Sequence, residues 1–345
     1  MRLTMALWAL PVAELSWVVR TASPYAYYGI NMSRSSIRKL VLLGPTAVGK
    51  TKLSIRLANR LKTSIVSVDA RQSYRYLDIG TAKASADQRQ QASHFNVDVL
   101  DPDEPDSPFS FLKRVEQWET EHRQTSSNPP LIYVGGSTLY LSSLIIGLDP
   151  LPKANPERVH ELKEQARTEG IESLYEILQR VDANYARKMD GLNPQRIIRA
   201  LDVYYESGKP FSSFHSNTLP TCPEDTIIFG LSRPRSSLYE RIEKRVDQMI
   251  EQGLIEEVKG LLQQGYSSKN QALQTVGYSE IISHFNEELS LELAIEKIKI
   301  HTKRYAKRQE TWFRKWPFIR WFYPEEQTEE EILELILQEI KYNPN

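Results

Sequence analysis

The chain has 345 residues, 40% of them hydrophobic, and its 44 lysines and arginines are balanced by 44 acidic residues. That is enough apolar material for one large domain or two modest ones, and a net charge of zero advertises no nucleic-acid partner by itself. A single cysteine, Cys222, excludes an internal disulfide and a cysteine-rich zinc site and fits a reducing cytoplasm.

Residues 1–38 read as an N-terminal extension. Met1 to Asn31 carries one acid, Glu14, and an apolar stretch from Met5 to Ala13 that is interrupted by Pro11 and is far too short to span a bilayer. A secretory signal and an organellar transit peptide are each matched only in part. The preferred reading is that the part upstream of Met32 is disordered or untranslated, and no membrane contact is expected.

The next element is the octapeptide Gly44-Pro45-Thr46-Ala47-Val48-Gly49-Lys50-Thr51, between the apolar run Leu40–Leu43 and a helical pattern marked by Leu53, Leu57 and Leu61. This is a P-loop in its proper strand-loop-helix context. Its glycines let backbone N–H groups turn inward, Lys50 reaches phosphate oxygens, and the Thr51 hydroxyl is placed for a magnesium ion. The helix dipole favours the anion as well.

Apolar β-prone runs at Ile65–Val68, Leu131–Val134 and Ile227–Leu231 alternate with helical stretches, which predicts an α/β fold with a P-loop NTPase-like parallel sheet. Residues 39–150 form the first part of that core. Strand signals vanish between Pro150 and Pro223, and helical spacing takes over at Val159, Leu162 and Ala166, then at Leu174, Ile177, Leu178 and Val181. Residues 151–222 are therefore expected to be a helical insertion domain. In residues 223–324, which complete the core and its helical C-terminal part, Leu238, Ile242, Val246 and Met249 mark one helix face; Leu254, Val258, Leu261 and Leu262 mark another, stopped by Gly265. Residues 325–345 hold an acidic amphipathic helix expected to pack on the body.

A P-loop kinase usually carries a carboxylate at the end of a neighbouring strand. Here Leu131–Val134 runs into Gly135-Gly136, with no acid. Ile65–Val68 instead delivers Asp69 to the carboxyl edge of the sheet, where open α/β sheets bind ligands. Asp69 is the candidate general base, with a turn or N-cap aspartate as the alternative. Late in the chain Lys297, Lys299, Lys303, Arg304, Lys307, Arg308, Arg314 and Lys315 crowd one region, with Tyr305, Trp312 and Trp316 interleaved. Such a run is ordinarily a solvated helix face. The six histidines show no metal-ligand spacing.

Four blocks together carry a resemblance. They are Asp69–Lys83 (DARQSYRYLDIGTAK), Gly135–Tyr140 (GGSTLY), Pro194–Leu201 (PQRIIRAL) and Lys307–Arg314 (KRQETWFR). In this order, over about Lys39 to Phe322, they resemble the bacterial type of tRNA dimethylallyltransferase; within this sequence nothing corresponds to the carboxy-terminal zinc finger of many eukaryotic relatives. The resemblance implies transfer of a dimethylallyl group from dimethylallyl diphosphate to N6 of the adenosine just 3′ of the anticodon. It implies Mg2+ as cofactor, the tRNA anticodon stem-loop as partner, a cytoplasmic location and a monomer.

Carried over residue by residue, Gly44 to Thr51 would hold the diphosphate, with Thr51 near the metal. Asp69 matches the catalytic aspartate, Arg245 an arginine on the diphosphate, and Ser137 a threonine near the target base. Stretches matching tRNA-gripping segments are Asp69, Ala70, Arg71 and Gln72; Gln195, Arg196, Ile197, Ile198 and Arg199; Gln274, Thr275, Val276, Gly277, Tyr278 and Ser279; and Lys307, Arg308, Gln309 and Arg314. The resemblance also turns the basic run toward RNA. The chain departs from the pattern at Ala70 (usually serine), Ala84 (proline), Ser137 (threonine) and Thr138 (glycine), and Val159 falls near an RNA-contacting arginine, with Arg158 beside it. Three alternatives share parts of this pattern: an adenylate isopentenyltransferase, which would not need the insertion or the Lys307–Arg314 block; a P-loop kinase, which would expect the missing acid; and a non-enzymatic RNA-binding module, which would release no diphosphate.

Overall fold

The computed structural model describes residues 37–122, 129–215 and 221–341, so the extension upstream of Ile37 lies outside the described residues. The core begins with strand β1 (Lys39–Leu43), helix α1 (Lys50–Leu61), β2 (Ile65–Val68), α2 (Ala86–Gln91), β3 (His94–Phe95), α3 (Pro108–His122), β4 (Leu131–Gly135) and α4 (Thr138–Ile146). Four helices follow without a strand: α5 (Pro156–Glu169), α6 (Ile171–Val181), α7 (Ala183–Arg187) and α8 (Pro194–Ser207). The chain then returns through β5 (Thr226–Leu231), α9 (Arg235–Glu251), α10 (Leu254–Gln263), α11 (Tyr278–Phe285), α12 (Leu291–Phe313), β6 (Arg320–Phe322) and α13 (Glu329–Lys341).

The six strands form one parallel sheet in the order β3-β2-β4-β1-β5-β6. β1 is central because its residues are apolar on both faces: Leu40 and Leu42 join one layer, with α1 and α13, while Val41 and Leu43 join the other, with α3, α4 and Phe313 of α12. The register aligns the strand ends that matter. Leu43 pairs with Gly135 of β4 and Gly230 of β5, and Val68 of β2 pairs with the same Gly135. The residues that follow, Gly44, Asp69, Gly136 and Leu231, therefore emerge side by side.

The insertion helices build a separate core from Leu162, Leu174, Leu178, Ile197 and Leu201. Their starts are set locally. Asn155 and Asn193 cap α5 and α8 ahead of a proline, and buried Asp182 accepts from Tyr185 N–H at 3.0 Å and Ser212 N–H at 2.7 Å. A third apolar cluster joins Tyr74 and Leu77 to α10, α11 and Ala294 of α12. The acidic helix α13 buries Ile332, Leu333, Ile336 and Leu337 against the core and pairs Glu334 with Arg60 of α1 at 2.6 Å. No helix among the described residues is long and apolar enough to cross a membrane.

Candidate active site

The P-loop leaves β1 through a backbone only glycine can follow. Gly44 has φ +151°, and a Cβ there would lie 2.6 Å from the Leu231 carbonyl oxygen of the next strand. Ala47 and Gly49 also have positive φ, of +63° and +115°, before α1 starts at Lys50. The loop is held from outside by side chains remote in sequence. Arg233 Nε donates to the Val48 carbonyl at 3.0 Å, Arg241 Nε to the Ala47 carbonyl at 2.8 Å, and Arg245 Nη1 to Thr46 Oγ1 at 3.3 Å. Gln309 of α12 accepts the Thr46 N–H at 2.9 Å.

Lys50 folds back over its own loop, donating to the carbonyls of Gly44 at 2.9 Å and Pro45 at 2.8 Å. Its ammonium is pushed down to about 7, first by burial and then by the Arg245 guanidinium, with Asp69 opposing both. Burial also lowers Arg245. Thr51 is exposed on the first turn of α1 and faces the cavity.

Asp69 follows β2. Its Oδ1 accepts the backbone N–H of Arg71 at 2.9 Å and of Gln72 at 3.3 Å, closing a turn, and no hydrogen bond among the described residues engages Oδ2. The turn aspartate and the cavity carboxylate are thus the same residue, using different oxygens. Ser137 Oγ accepts the Ala70 N–H at 3.1 Å, so the contact across this point uses the backbone and survives alanine at position 70. Beside Ser137 lies Tyr305 of α12, whose hydroxyl is pushed up to about 12 by burial and by the Asp69 charge. The acid-free end of β4 has a steric cause: a Cβ on Gly135 would lie 2.0 Å from the Val68 carbonyl oxygen, and one on Gly136 would lie 2.3 Å from Gln309 Nε2.

Thr46, Lys50, Asp69, Arg245, Tyr305 and Gln309 line one open cavity of about 1040 Å³ together with the start of α2 and residues of the Asp78–Ser85 loop. That loop is anchored by Glu257 of α10. Its carboxylate accepts the N–H groups of Asp78 at 3.0 Å, Ile79 at 2.8 Å and Gly80 at 3.2 Å, and the Tyr278 hydroxyl at 2.5 Å. Lys83, almost wholly buried, pairs with Asp78 at 2.5 Å and Asp98 at 2.6 Å.

Several residues matched to tRNA-gripping segments are engaged within the protein. Ile197 and Ile198 are buried in the insertion core, because their apolar spacing with Leu201 puts them on the inner face of α8. Arg199 is spent on Asp202 at 2.6 Å and on the Pro152 carbonyl at 2.5 Å. Arg158 pairs with Glu206 at 2.8 Å. Tyr278 is buried under Gly80, Gln274 donates to the Ser268 carbonyl at 3.1 Å, and Gly277 begins α11 with its N–H on Glu280 at 2.8 Å. Gln72 bridges Ser67 Oγ at 2.9 Å and the Thr81 carbonyl at 3.2 Å. Gln309 is 2% exposed.

Gln195 and Arg196 remain exposed on the insertion, as do Arg304, Lys307 and Arg308 on α12 and Arg314 and Lys315 just past its end. Lys299 and Lys303 tie α12 to Asp247 and Glu243 of α9. Trp316 is buried and Trp312 packs edge-on against it at 4.8 Å between centroids, so neither is a free stacking platform. Arg233, Arg241 and Glu257 are the site residues that sequence reasoning missed, and Tyr305 reads in the sequence only as an aromatic within the basic run, not as a neighbour of Asp69. Only Arg241 carried a usable signal, its spacing of one helical turn from Arg245.

Comparison with known proteins agrees with this geometry. Residues 72–316 match the family model described as IPP transferase, and residues 37–98 match one described as isopentenyl transferase. The tRNA dimethylallyltransferase of Natranaerobius thermophilus is 41% identical over 87% of this chain and 91% of that protein. That of Alkaliphilus metalliredigens is 42% identical over 88% of this chain and 96% of that protein. The crystal structure of the full-length tRNA isopentenylpyrophosphate transferase from Bacillus halodurans superposes with a TM-score of 0.64 at 33% identity, covering 89% of this chain and 98% of that one. A strand-end aspartate and a P-loop lining one cavity, and matches over most of the length, place this chain in the IPP transferase family, that of the tRNA dimethylallyltransferases.

Proposed function

We propose that this protein transfers the dimethylallyl group of dimethylallyl diphosphate to N6 of the adenosine just 3′ of a tRNA anticodon and releases diphosphate, acting as a cytoplasmic monomer. The observation that carries the reading is the shared cavity of Asp69, Lys50 and Arg245. The new bond joins N6 to the allylic carbon; the bond that breaks joins that carbon to a diphosphate oxygen, which leaves with the electron pair. The N6 proton passes to Asp69, whose Oδ2 is the free oxygen.

Leaving-group charge is met by Lys50, by Arg245 and by the N–H groups of the P-loop. Thr51 suits Mg2+: it carries a hydroxyl and lines the cavity beside the phosphate cradle, and such an ion needs few protein ligands when phosphate oxygens and water supply the rest. Bound there, Mg2+ would add further neutralisation of the diphosphate. Ser137 and Tyr305 flank Asp69 where the adenine must enter, and a base reached in this way has to leave its stack. The exposed cations of α12 and of the start of α8 are the surface offered to the RNA backbone.

Radiolabelled dimethylallyl diphosphate incubated with unmodified tRNA, with AMP, or with neither tests the proposal. Label is expected on tRNA alone, together with released diphosphate. Label on AMP would favour an adenylate isopentenyltransferase, and no transfer to either acceptor would overturn the reading.

A further inference from the structure

Gln309 lies in the Lys307–Arg314 block, between cations that face solvent, yet it is 2% exposed and both ends of its amide are engaged. Oε1 accepts the Thr46 N–H at 2.9 Å, and Nε2 donates to the Gly136 carbonyl at 2.7 Å. Thr46 belongs to the phosphate loop. Gly136 precedes Ser137, which accepts the Ala70 N–H next to Asp69. One amide therefore joins the cradle that would hold the leaving group to the turn beside the proton acceptor. Gly136 permits this, because a Cβ there would sit 2.3 Å from Gln309 Nε2. Its neighbours Lys307 and Arg308, turned away from it around the helix, are exposed.

We infer that Gln309 is a positioning residue: it sets the spacing between the diphosphate cradle and the acceptor pocket, and it does not itself grip RNA. The inference rests on the prenyl-transfer reading above. Its two bonds serve different ends. The Thr46 bond shapes the cradle and acts on donor binding; the Gly136 bond fixes the pocket and acts on the chemical step.

Two variants separate these ends, measured beside wild type so that a failure of the parent reading shows as no transfer by wild type. Gln309→Glu keeps an acceptor for Thr46 N–H but sets a carboxylate oxygen against the Gly136 carbonyl. Gln309→Met keeps the length and loses both bonds. Single-turnover transfer at saturating tRNA and dimethylallyl diphosphate is expected to fall roughly 10- to 100-fold in both, the scale of a misplacement near 1 Å. Donor affinity should weaken in Gln309→Met and stay within about threefold of wild type in Gln309→Glu, and tRNA affinity and its salt dependence should hold in both, because the phosphate contacts are untouched. A normal saturated rate with weakened tRNA binding would make Gln309 an RNA contact and overturn the inference. A lower melting temperature with normal rate and affinities would reduce it to a packing residue. If Gln309→Met does not fold, the rate and affinities of Gln309→Glu decide between the same outcomes.

Discussion

The carboxyl edge of the sheet and the helical insertion are held together by different forces. At the sheet edge the ties are polar and long in sequence: Arg233, Arg241, Arg245 and Gln309 grip a loop at residues 46–48, and Glu257 gathers three N–H groups of the Asp78–Gly80 turn. In the insertion the contacts are apolar and local, a cluster of leucines and isoleucines with asparagine caps and the buried Asp202 pairing with Arg199. The edge is specified by geometry that any one lost hydrogen bond can shift, whereas the insertion is specified by packing density. Substitutions at the edge should change rate with little change in stability, and substitutions in the insertion core should do the reverse.

The largest effect is expected at Asp69. Asp69→Ala removes both the base and the turn acceptor; Asp69→Asn keeps an oxygen for the N–H groups of Arg71 and Gln72 and removes only the base. Both should lose about 10²–10⁴-fold in transfer rate, with tRNA affinity changing little and Asp69→Asn melting close to wild type. Near-normal turnover in Asp69→Asn would erase the distinction between the regions at its strongest point. The converse variant is Ile197→Ala. Ile197 is wholly buried among Leu174, Leu178 and Leu201, so the cavity should cost about 2–5 kcal/mol. Denaturant unfolding should show that loss, while calorimetry should show binding of dimethylallyl diphosphate unchanged; weakened donor binding would mean that the insertion core supports the cradle after all.

The same contrast explains what sequence alone could and could not read. The P-loop is readable because its geometry is local: glycines at positive φ between an apolar strand and a helix. Asp69 is readable because a four-residue strand ends there and parallel sheets expose that end. β3 and β6, two and three residues long, are too short to show a period. The roles of Glu257 and Gln309 depend on partners more than 170 residues away, which no local pattern reports. Ile197 and Ile198 are a different case. Their spacing with Leu201 already places them inside, and the motif match pulled them toward the RNA. A matched segment mixes residues that touch the substrate with residues that hold the shape, and periodicity tells them apart.

The smallest predicted effect probes charge at the sheet edge, where the insertion offers a contrast: Arg199 there is paired directly with a carboxylate, whereas the hydrogen bonds of Lys50 go to two loop carbonyls. Burial and Arg245 push the Lys50 ammonium down to about 7. In the unfolded chain a lysine holds its proton to about 10.4. Between these values the unfolded chain binds the proton and the native state does not, so Lys50 makes stability rise with pH across that window. Below about 7 both states are protonated and the slope from this group vanishes. Diphosphate reverses the balance, because an anion against Nζ favours the ammonium. Donor affinity should therefore be greatest below about 7 and fall above it, with a limiting slope of about tenfold per pH unit. Dimethylallyl diphosphate, whose own phosphates are already ionised at about pH 8, should take up most of one proton on binding there, read by calorimetry in two buffers of different ionisation enthalpy. Lys50→Arg, which cannot release its proton, should bind without that uptake. Binding by wild type with no proton uptake would mean that Lys50 is already charged before the donor binds, held by its loop carbonyls against the burial that opposes it.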